Sequence, residues 1–335
     1  MKFDFTAVAP QPAQATWKET ITERIKDGKV VPFVSNSFTD ELAFGSHAEL
    51  VKGWANYIKY PLADQPYDLP RLAQYESVSE AGDDYIGDEV QVKEGYLGFL
   101  KAALSLMANQ DSTVSAGRRA ELADQARELT VSAMARRLNY PSLDSPAANP
   151  LLLLAALPLP IYLTTCYHDF LEVALSEKAR KEPRSEICRW NEGLKHIPSV
   201  FTEDQDYDPS PKEPLVYHLH GLDNYPESLV LTEDDHLDFL ANVGDAIHPR
   251  VMQALTQSSL VVLGYSLRSW DFRVLFSGVI KARPASLWKT SVAIQLADSP
   301  QEKEYLAKYL RQVKFEVEWT DPGSFIQELY TGWGG

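Results

Sequence analysis

Short apolar runs bounded by small or polar residues recur along the chain and predict the central strands of a sheet. Five of them are Val30–Val34, Ile161–Thr165, Leu215–His220, Leu260–Gly264 and Ser291–Leu296, and a sixth candidate is Val313–Trp319. Segments with helical spacing fall between most of the runs, over Phe170–Ala179, His248–Gln257 and Asp271–Ile280. Strands that alternate with helices predict an α/β fold with a doubly wound, mainly parallel, Rossmann-like sheet.

A long stretch without strand signals separates the first two runs. Apolar residues recur there at helical spacing, as in Leu50, Trp54 and Ile58 and again in Leu97, Leu100 and Leu104. This is more helix than one crossover between strands requires. The pattern therefore predicts a helical insertion over residues 45–140, within a single domain that spans residues 1–335.

The composition narrows the class of function. The chain of 335 residues has 47 acidic and 32 basic side chains, a formal charge of −15. Nucleic-acid binders need a basic face, so we expect no nucleic-acid partner. The two cysteines, Cys166 and Cys188, provide neither a disulfide framework nor a four-cysteine zinc module, and are expected to be reduced thiols.

Membrane and export signals are weak in this sequence. The start, Met1–Phe5, lacks the basic-then-apolar pattern of a signal peptide. The longest apolar run, Leu151–Leu163, is too short for a membrane span and is interrupted by Pro158 and Pro160. It is typical of a helix end that leads into a buried strand. We therefore expect a cytoplasmic protein without a membrane partner.

Small, polar and titratable residues follow four of the predicted strands. In a doubly wound sheet, ligands bind beyond the carboxyl ends of the strands, near the point where the strand order reverses. The segments concerned are 35–37, 165–169, 218–221 and 264–267. Four such strand ends in one sheet predict a ligand site more strongly than any single motif.

These strand ends resemble the motifs of the sirtuin-like family, which has the silent-information-regulator NAD-binding fold. The resemblance rests on 31–37, Thr164-Thr165-Cys166-Tyr167-His168, Leu219-His220-Gly221 and Leu263-Gly264-Tyr265-Ser266, in the family's order. Residues 167–172, 228–235 and 262–273 look especially similar to bacterial sirtuin-like domains of antiphage-defence proteins.

The resemblance implies a ligand and a set of site residues. Those relatives cleave NAD at the nicotinamide–ribose bond, so NAD or a related nucleotide is the expected substrate or ligand. The residues expected to be catalytic are His220, Cys166 and His168. Those expected to hold the dinucleotide are Ser35, Asn36, Ser37, Thr165, Gly264, Tyr265, Ser266 and Asp271. The resemblance also implies a homo-oligomer or a larger defence assembly.

The sequence departs from the family pattern at two motifs. Ser35-Asn36-Ser37 replaces the usual Gly-Ala-Gly turn, although asparagine tolerates a left-handed backbone and serine hydroxyls can donate to phosphate. Cys166 stands where the family has the asparagine thought to orient water, and His168 stands where it has aspartate. No cysteine lies between Gly221 and Leu263. A zinc-containing protein deacetylase is therefore not expected.

Several alternatives remain open at this point. The chain is either an NAD glycohydrolase or a non-catalytic module that binds NAD or ADP-ribose for sensing or assembly. His218 and His220 are spaced to share one face of a strand, which is also a metal-ligand spacing. Cys166 is either a reactive thiol or a buried small apolar residue. Thr232 is predicted to cap a helix.

Overall fold

The sheet consists of parallel strands throughout. The computed structural model describes residues 16–62, 67–81, 89–142, 149–266, 270–281, 285–295 and 300–334. The strands within these ranges are β1 Val30–Val34, β2 Ile161–Thr164, β3 Arg184–Ile187, β4 Leu215–His218, β5 Ser259–Leu263, β6 Ser291–Gln295 and β7 Phe315–Trp319. Their order is β3-β4-β2-β1-β5-β6-β7 and every pair is parallel. The predicted Rossmann-like α/β class is confirmed.

All six predicted apolar runs form strands, and one strand was not predicted. The additional strand β3 lies at the sheet edge, and its first two residues are not buried. Its sequence is Arg-Ser-Glu-Ile, which lacks an apolar run. The carboxylate of the buried Glu186 pairs with Arg189 at 2.6 Å. This pairing allows a charged residue, which sequence patterns place in a loop, to be buried in a strand.

The helices surround the sheet on both faces. They are α1 Trp17–Lys26, α2 Asn36–Ala43, α3 His47–Tyr57, α4 Leu69–Ala81, α5 Glu89–Gln110, α6 Ala116–Gln125, α7 Val131–Leu138, α8 Pro150–Ala156, α9 Phe170–Val173, α10 Val200–Glu203, α11 Glu233–Ala246, α12 Pro249–Gln257, α13 Trp270–Leu275, α14 Pro300–Arg311 and α15 Pro322–Trp333. Single π-helical turns, Ala174–Lys178 and Phe276–Ile280, extend α9 and α13. Thr232 caps α11, as predicted.

The polar segment over residues 191–212 is partly helical. Within residues 191–212 the chain forms a 3₁₀ turn over Glu192–His196 and then α10. The hydroxyl of Ser199 accepts from Phe201 N, and Glu186 accepts from Ser199 Oγ at 2.6 Å. Glu186 of β3 therefore stabilises the start of a short helix in a polar segment.

Strand β1 illustrates why both faces of the sheet are buried. Val30 and Val34 belong to one apolar core, and Val31 and Phe33 belong to the other. Since successive side chains of a strand point to opposite faces, a strand covered on both sides is apolar throughout. This explains the continuous apolar runs from which the sheet was predicted.

Helices α3 to α7 follow β1 and precede β2, and buried polar contacts attach them to the rest of the molecule. Lys93 of α5 pairs with Asp235 of α11 at 2.8 Å, with side chains 2% and 1% exposed. Asp223, after β4, accepts a 2.6 Å hydrogen bond from Ser132 N at the start of α7. The insertion at 45–140 within a single domain of 1–335 stays a prediction. Across the described ranges, no helix is both long and apolar enough to span a bilayer.

Candidate functional site

A cavity of about 280 Å³ opens at the carboxyl edge of the sheet, beside β1. The chain leaves β1 toward β2 on one side and later places β5 on the other, so β1 marks the reversal of strand order. This is where doubly wound sheets bind ligands. Eight of the eleven predicted site residues line the cavity, namely Ser35, Asn36, Ser37, Thr165, His220, Gly264, Tyr265 and Ser266.

The turn after β1 is the entry to helix α2. Ser35 is the N-cap of α2, and its hydroxyl accepts from Phe38 N at 3.4 Å. Ser37 Oγ donates to the carbonyl oxygen of Gly264, and the Ser35 and Ser37 hydroxyls are 2.9 Å apart. With the Ser37 proton so used, Ser35 donates to Ser37. Both hydroxyl protons are therefore used in contacts among Ser35, Ser37 and Gly264, and Asn36 and Ser37 at the start of α2 line the cavity.

The end of β5 approaches the turn after β1 so closely that position 264 requires glycine. Its φ of +78° is in the left-handed region, and an added Cβ would lie 2.4 Å from Ser35 Oγ and 2.7 Å from Phe38 Cβ. Such distances are far below van der Waals contact. The glycine predicted from the sequence therefore lets the end of β5 pack directly against the turn after β1.

Thr165 and Tyr265 form a second contact between strand ends. Their hydroxyl oxygens are 3.0 Å apart, and Tyr265 Oη donates to the carbonyl oxygen of Val34 at 3.3 Å. Thr165 therefore donates to Tyr265. The contact fixes the cavity floor where the ends of β1, β2 and β5 meet.

His220 is the buried titratable group that lacks a partner in this cavity. The residue is 2% exposed, and its Nε2 has no hydrogen-bond partner among the described residues. The ring packs edge-on against His236 and Phe239 of α11, with centroids 5.2 Å away in each case. Burial, and then the neighbouring His236, hold the pKa of His220 well below its usual value. His220 is therefore neutral at pH 7 and can accept a hydrogen bond.

His218 does not share this face, which corrects the expectation that it lies beside His220. Its Nδ1 donates to the carbonyl oxygen of Cys166 at 3.0 Å and its Nε2 to Glu172 Oε1 at 2.7 Å. Strand β4 ends at His218, and the chain turns before Gly221, whose φ is +83°. The alternation of a strand therefore stops between the two histidines.

The proposed metal spacing is not realised by these two histidines. Among the described residues, no three histidine, cysteine or carboxylate side chains converge in a metal-binding arrangement. His218 already donates from both ring nitrogens. It therefore has no lone pair to offer a metal ion.

Cys166 and His168 lie behind the cavity rather than in its lining. Cys166 Sγ lies 3.0 Å from Thr39 Oγ1, and burial raises the pKa of the thiol to about 12. His168 Nε2 lies 3.4 Å from both Thr39 Oγ1 and Asp40 Oδ1, and its ring stacks on Phe170 at 3.6 Å. A thiol with so high a pKa is not a nucleophile at neutral pH. The side chain of Asp271, also predicted to bind the dinucleotide, lies outside the described residues.

Several residues in or near the cavity were not among the predicted site residues, and four of them carry groups that bear on its chemistry. His47, Tyr167 and His236 line the cavity, and Asp40 stands directly behind His47. Asp40 Oδ2 accepts from His47 Nδ1 at 2.8 Å. Burial raises the pKa of Asp40, but hydrogen bonds from His168 and His47 outweigh it and hold the pKa below its usual value. Asp40 is therefore a carboxylate at neutral pH.

Two residues of the cavity lining carry a buried polar atom without a partner in the described part of the chain, which suits a ligand rich in hydroxyl groups. Besides His220 Nε2, Asn36 Oδ1 is buried and has no partner among the described residues. Asn36 Oδ1 accepts hydrogen bonds, and so does His220 Nε2 when the imidazole proton is on Nδ1, as ribose hydroxyls require. The described lining contains no lysine or arginine, so a phosphate would rely on the N-terminus of α2.

The comparison with protein families agrees with this geometry. Residues 160–317 match the family model of the SIR2-like domain. The matched region runs from the start of β2 into β7 and includes His220, Gly264 and Tyr265. SIR2-like domains generally bind NAD, and the match supports a sirtuin-like family. No curated protein matches the chain.

Proposed function

We propose that the chain binds NAD in the cavity beside β1 and hydrolyses it to ADP-ribose and nicotinamide. The observation that carries the proposal is His220. A neutral, buried imidazole with an unpartnered Nε2 faces a cavity at the reversal of strand order. Such a group is suited to accept a hydrogen bond from a ribose hydroxyl.

Each remaining cavity residue has a role in this proposal. His220 contacts the nicotinamide ribose and makes its hydroxyl oxygen more electron-rich, which stabilises positive charge at C1′. The N-terminus of α2, with Asn36, faces the diphosphate. Gly264 permits the dinucleotide to approach the backbone after β5, and Tyr265 and Ser266 continue that wall.

A second candidate is a non-catalytic module that binds NAD or ADP-ribose. Two observations favour it. Cys166, in the family's asparagine position, lies outside the cavity lining. The Ser35 and Ser37 hydroxyls bond to each other and to Gly264 instead of being free for phosphate.

The wider setting that we propose follows the family resemblance. The chain would act in bacterial antiphage defence, in the cytoplasm, as a homo-oligomer or as part of a larger assembly. Assembly would then regulate access to the cavity. If so, NAD cleavage should rise with protein concentration together with the mass of the protein in solution.

One experiment separates the two candidates. Purified protein is titrated with NAD by calorimetry, and the same samples are analysed for nicotinamide by chromatography. Binding with nicotinamide release that is lost in His220→Ala supports the hydrolase. Binding without products at every protein concentration supports the non-catalytic module. Absence of binding contradicts both.

A further inference from the structure

Helices α2 and α3 place a carboxylate-paired histidine on the wall of the cavity. His47 is the first residue of α3 and lines the cavity, with its side chain 29% exposed. Asp40, in α2, has a side chain that is 6% exposed and lies 2.8 Å from His47 Nδ1. Since a carboxylate accepts hydrogen bonds, Nδ1 carries the proton and Nε2 carries the lone pair.

The other candidate bases are poorly suited to activate water. The Cys166 thiol is buried behind the cavity and contacts Thr39. His168 lies outside the lining and donates toward Asp40. His220 is already assigned to the ribose in the proposed function. The Asp40–His47 pair is therefore the arrangement at the cavity in which a second group orients a general base.

We propose that His47 is the general base that activates the hydrolytic water and that Asp40 positions it. The inference rests on the proposed NAD hydrolysis. The water oxygen bonds to C1′ of the nicotinamide ribose, and one water proton passes to His47 Nε2. The bond from C1′ to nicotinamide breaks, and its electron pair neutralises the pyridinium nitrogen. His47 then releases the proton to solvent, so that NAD and water yield ADP-ribose, nicotinamide and a proton.

The surroundings of His47 are consistent with a residue that gains and loses a proton. The carboxylate of Asp40 lies 2.8 Å from His47 Nδ1 and 3.4 Å from His168 Nε2. Its negative charge stabilises positive charge on the His47 imidazole. On the cavity side, the titratable groups among the described lining residues are Asp68, Tyr67, Tyr167, Tyr265, His220 and His236. His236 Nδ1 donates to Thr232 O at 2.8 Å, which fixes its orientation on α11. Asp40 contacts His47 directly, through Nδ1.

The test compares His47→Gln with His196→Gln. His196 is also paired with a carboxylate, Glu227 at 3.4 Å, but it is 66% exposed and does not line the cavity. Loss of a general base typically lowers kcat by about 100-fold or more. We expect this loss in His47→Gln, with KM and ADP-ribose affinity within about threefold of wild type. His196→Gln should retain wild-type kcat.

The pH profile distinguishes catalysis from a structural role. Wild-type kcat should fall on the acid side, because a protonated imidazole cannot accept a proton. His47→Gln should lack that fall in its residual activity, and Asp40→Asn should move it to lower pH because the carboxylate no longer stabilises the imidazolium. A purely structural role would change the melting temperature and KM without removing the acid limb.

Each outcome decides one of the two proposals. If wild-type protein releases nicotinamide and His47→Gln does so at a similar kcat, the role of His47 is overturned and the hydrolase stands. If wild-type protein binds ADP-ribose but releases no nicotinamide from NAD under any condition, the hydrolase fails and the assigned role of His47 fails with it. A selective loss of kcat together with the acid limb supports both.

Discussion

His218 and His220 are two residues apart and are both almost completely buried, yet their surroundings are opposite. His218 donates from both ring nitrogens, to Glu172 and to the carbonyl of Cys166. His220 faces the cavity with Nε2 unpartnered among the described residues. Their pKa values shift in opposite directions. Burial lowers the pKa of both, but in His218 the charge of Glu172 outweighs it and raises the pKa.

The comparison teaches that burial alone does not separate a structural histidine from a functional one. A buried polar atom without a partner costs free energy, about 1–3 kcal/mol for a neutral group. Such an atom is a candidate ligand contact where its residue also lines a cavity, as His220 does. His218 therefore stabilises the carboxyl edge of the sheet, whereas the proposed function assigns His220 to the ligand.

The largest expected effect is on activity in His220→Ala. Removing the imidazole should lower nicotinamide release by about 1,000-fold, within the range for acid–base groups. The melting temperature should fall as well, because the buried ring packs against His236 and Phe239 and its removal leaves a void. Chromatography of NAD reactions and thermal unfolding of the same samples provide the two measurements. Activity of His220→Ala within tenfold of wild type would contradict the proposal that His220, unlike His218, contacts the ligand.

The next largest effect is on stability in Glu172→Gln. The variant breaks the buried ion pair between Glu172 and His218, which costs about 3 kcal/mol of unfolding free energy. The Glu172 oxygen also accepts from Ser185 Oγ at 2.7 Å, a contact that the amide can keep. Urea unfolding measures the difference, and Glu192→Gln, which breaks the exposed pair with Lys195, should cost almost nothing.

The loss of unfolding free energy in Glu172→Gln should depend on pH. Burial raises the pKa of Glu172, but the charge and hydrogen bond of His218 outweigh it, so the pKa is lowered. The stability from a lowered carboxyl pKa is lost as pH falls through the folded pKa, and that from a raised histidine pKa is lost as pH rises through it. The difference between wild type and variant should therefore be largest at about pH 5–6, between the ordinary pKa values of Glu and His. A difference that grows above pH 8 would contradict the ion pair.

Gly264→Ala tests the cavity side of the comparison. The new Cβ meets Ser35 Oγ and Phe38 Cβ, and the φ of +78° is strained for alanine. We expect a loss of about 2 kcal/mol of unfolding free energy, from strain at a left-handed position together with the clash. NAD affinity should also fall, as measured by calorimetry. The control is Gly244→Ala in α11, where a Cβ meets nothing within 4 Å and alanine favours the helix.

The smallest expected effect is in Cys166, which contacts His218 through its backbone. Its carbonyl accepts from His218, while its thiol faces Thr39. Since burial raises the pKa of the thiol to about 12, iodoacetamide at pH 8 should leave native Cys166 unmodified. Mass spectrometry before and after unfolding in guanidinium checks this. Cys166→Ser should retain nicotinamide release within about threefold, because a hydroxyl can keep the contact with Thr39; rapid alkylation of native protein would restore the thiol as a candidate nucleophile.

The strand ends illustrate what sequence patterns can predict. The apolar runs of β1, β2, β4, β5 and β6 are continuous because both faces of the sheet are covered. Strand β3 escaped prediction because Glu186 is buried through contacts with Arg189 and Ser199. Those contacts form only after residues 189–199 fold against the strand. Polar strands stabilised in this way have no local signature.

The Asp40–His47 pair shows the same limit for the site. Both residues follow β1 in the chain, but their place beside His220 and His236 depends on how α2, α3 and α11 pack around one cavity. Asp40 also contacts His168, 128 positions later in the chain. No spacing in the sequence predicts contacts over such separations.

The sequence by itself determined the parallel sheet, its covered faces and the strand ends where small and polar residues collect. Those features follow from local periodicity and from the geometry shared by all doubly wound sheets. Only the tertiary structure decided that His220 faces the cavity while His218 and Cys166 do not. The reason is that β4 ends at His218 and the chain turns, so strand alternation no longer fixes direction, and the partners of each side chain come from distant helices.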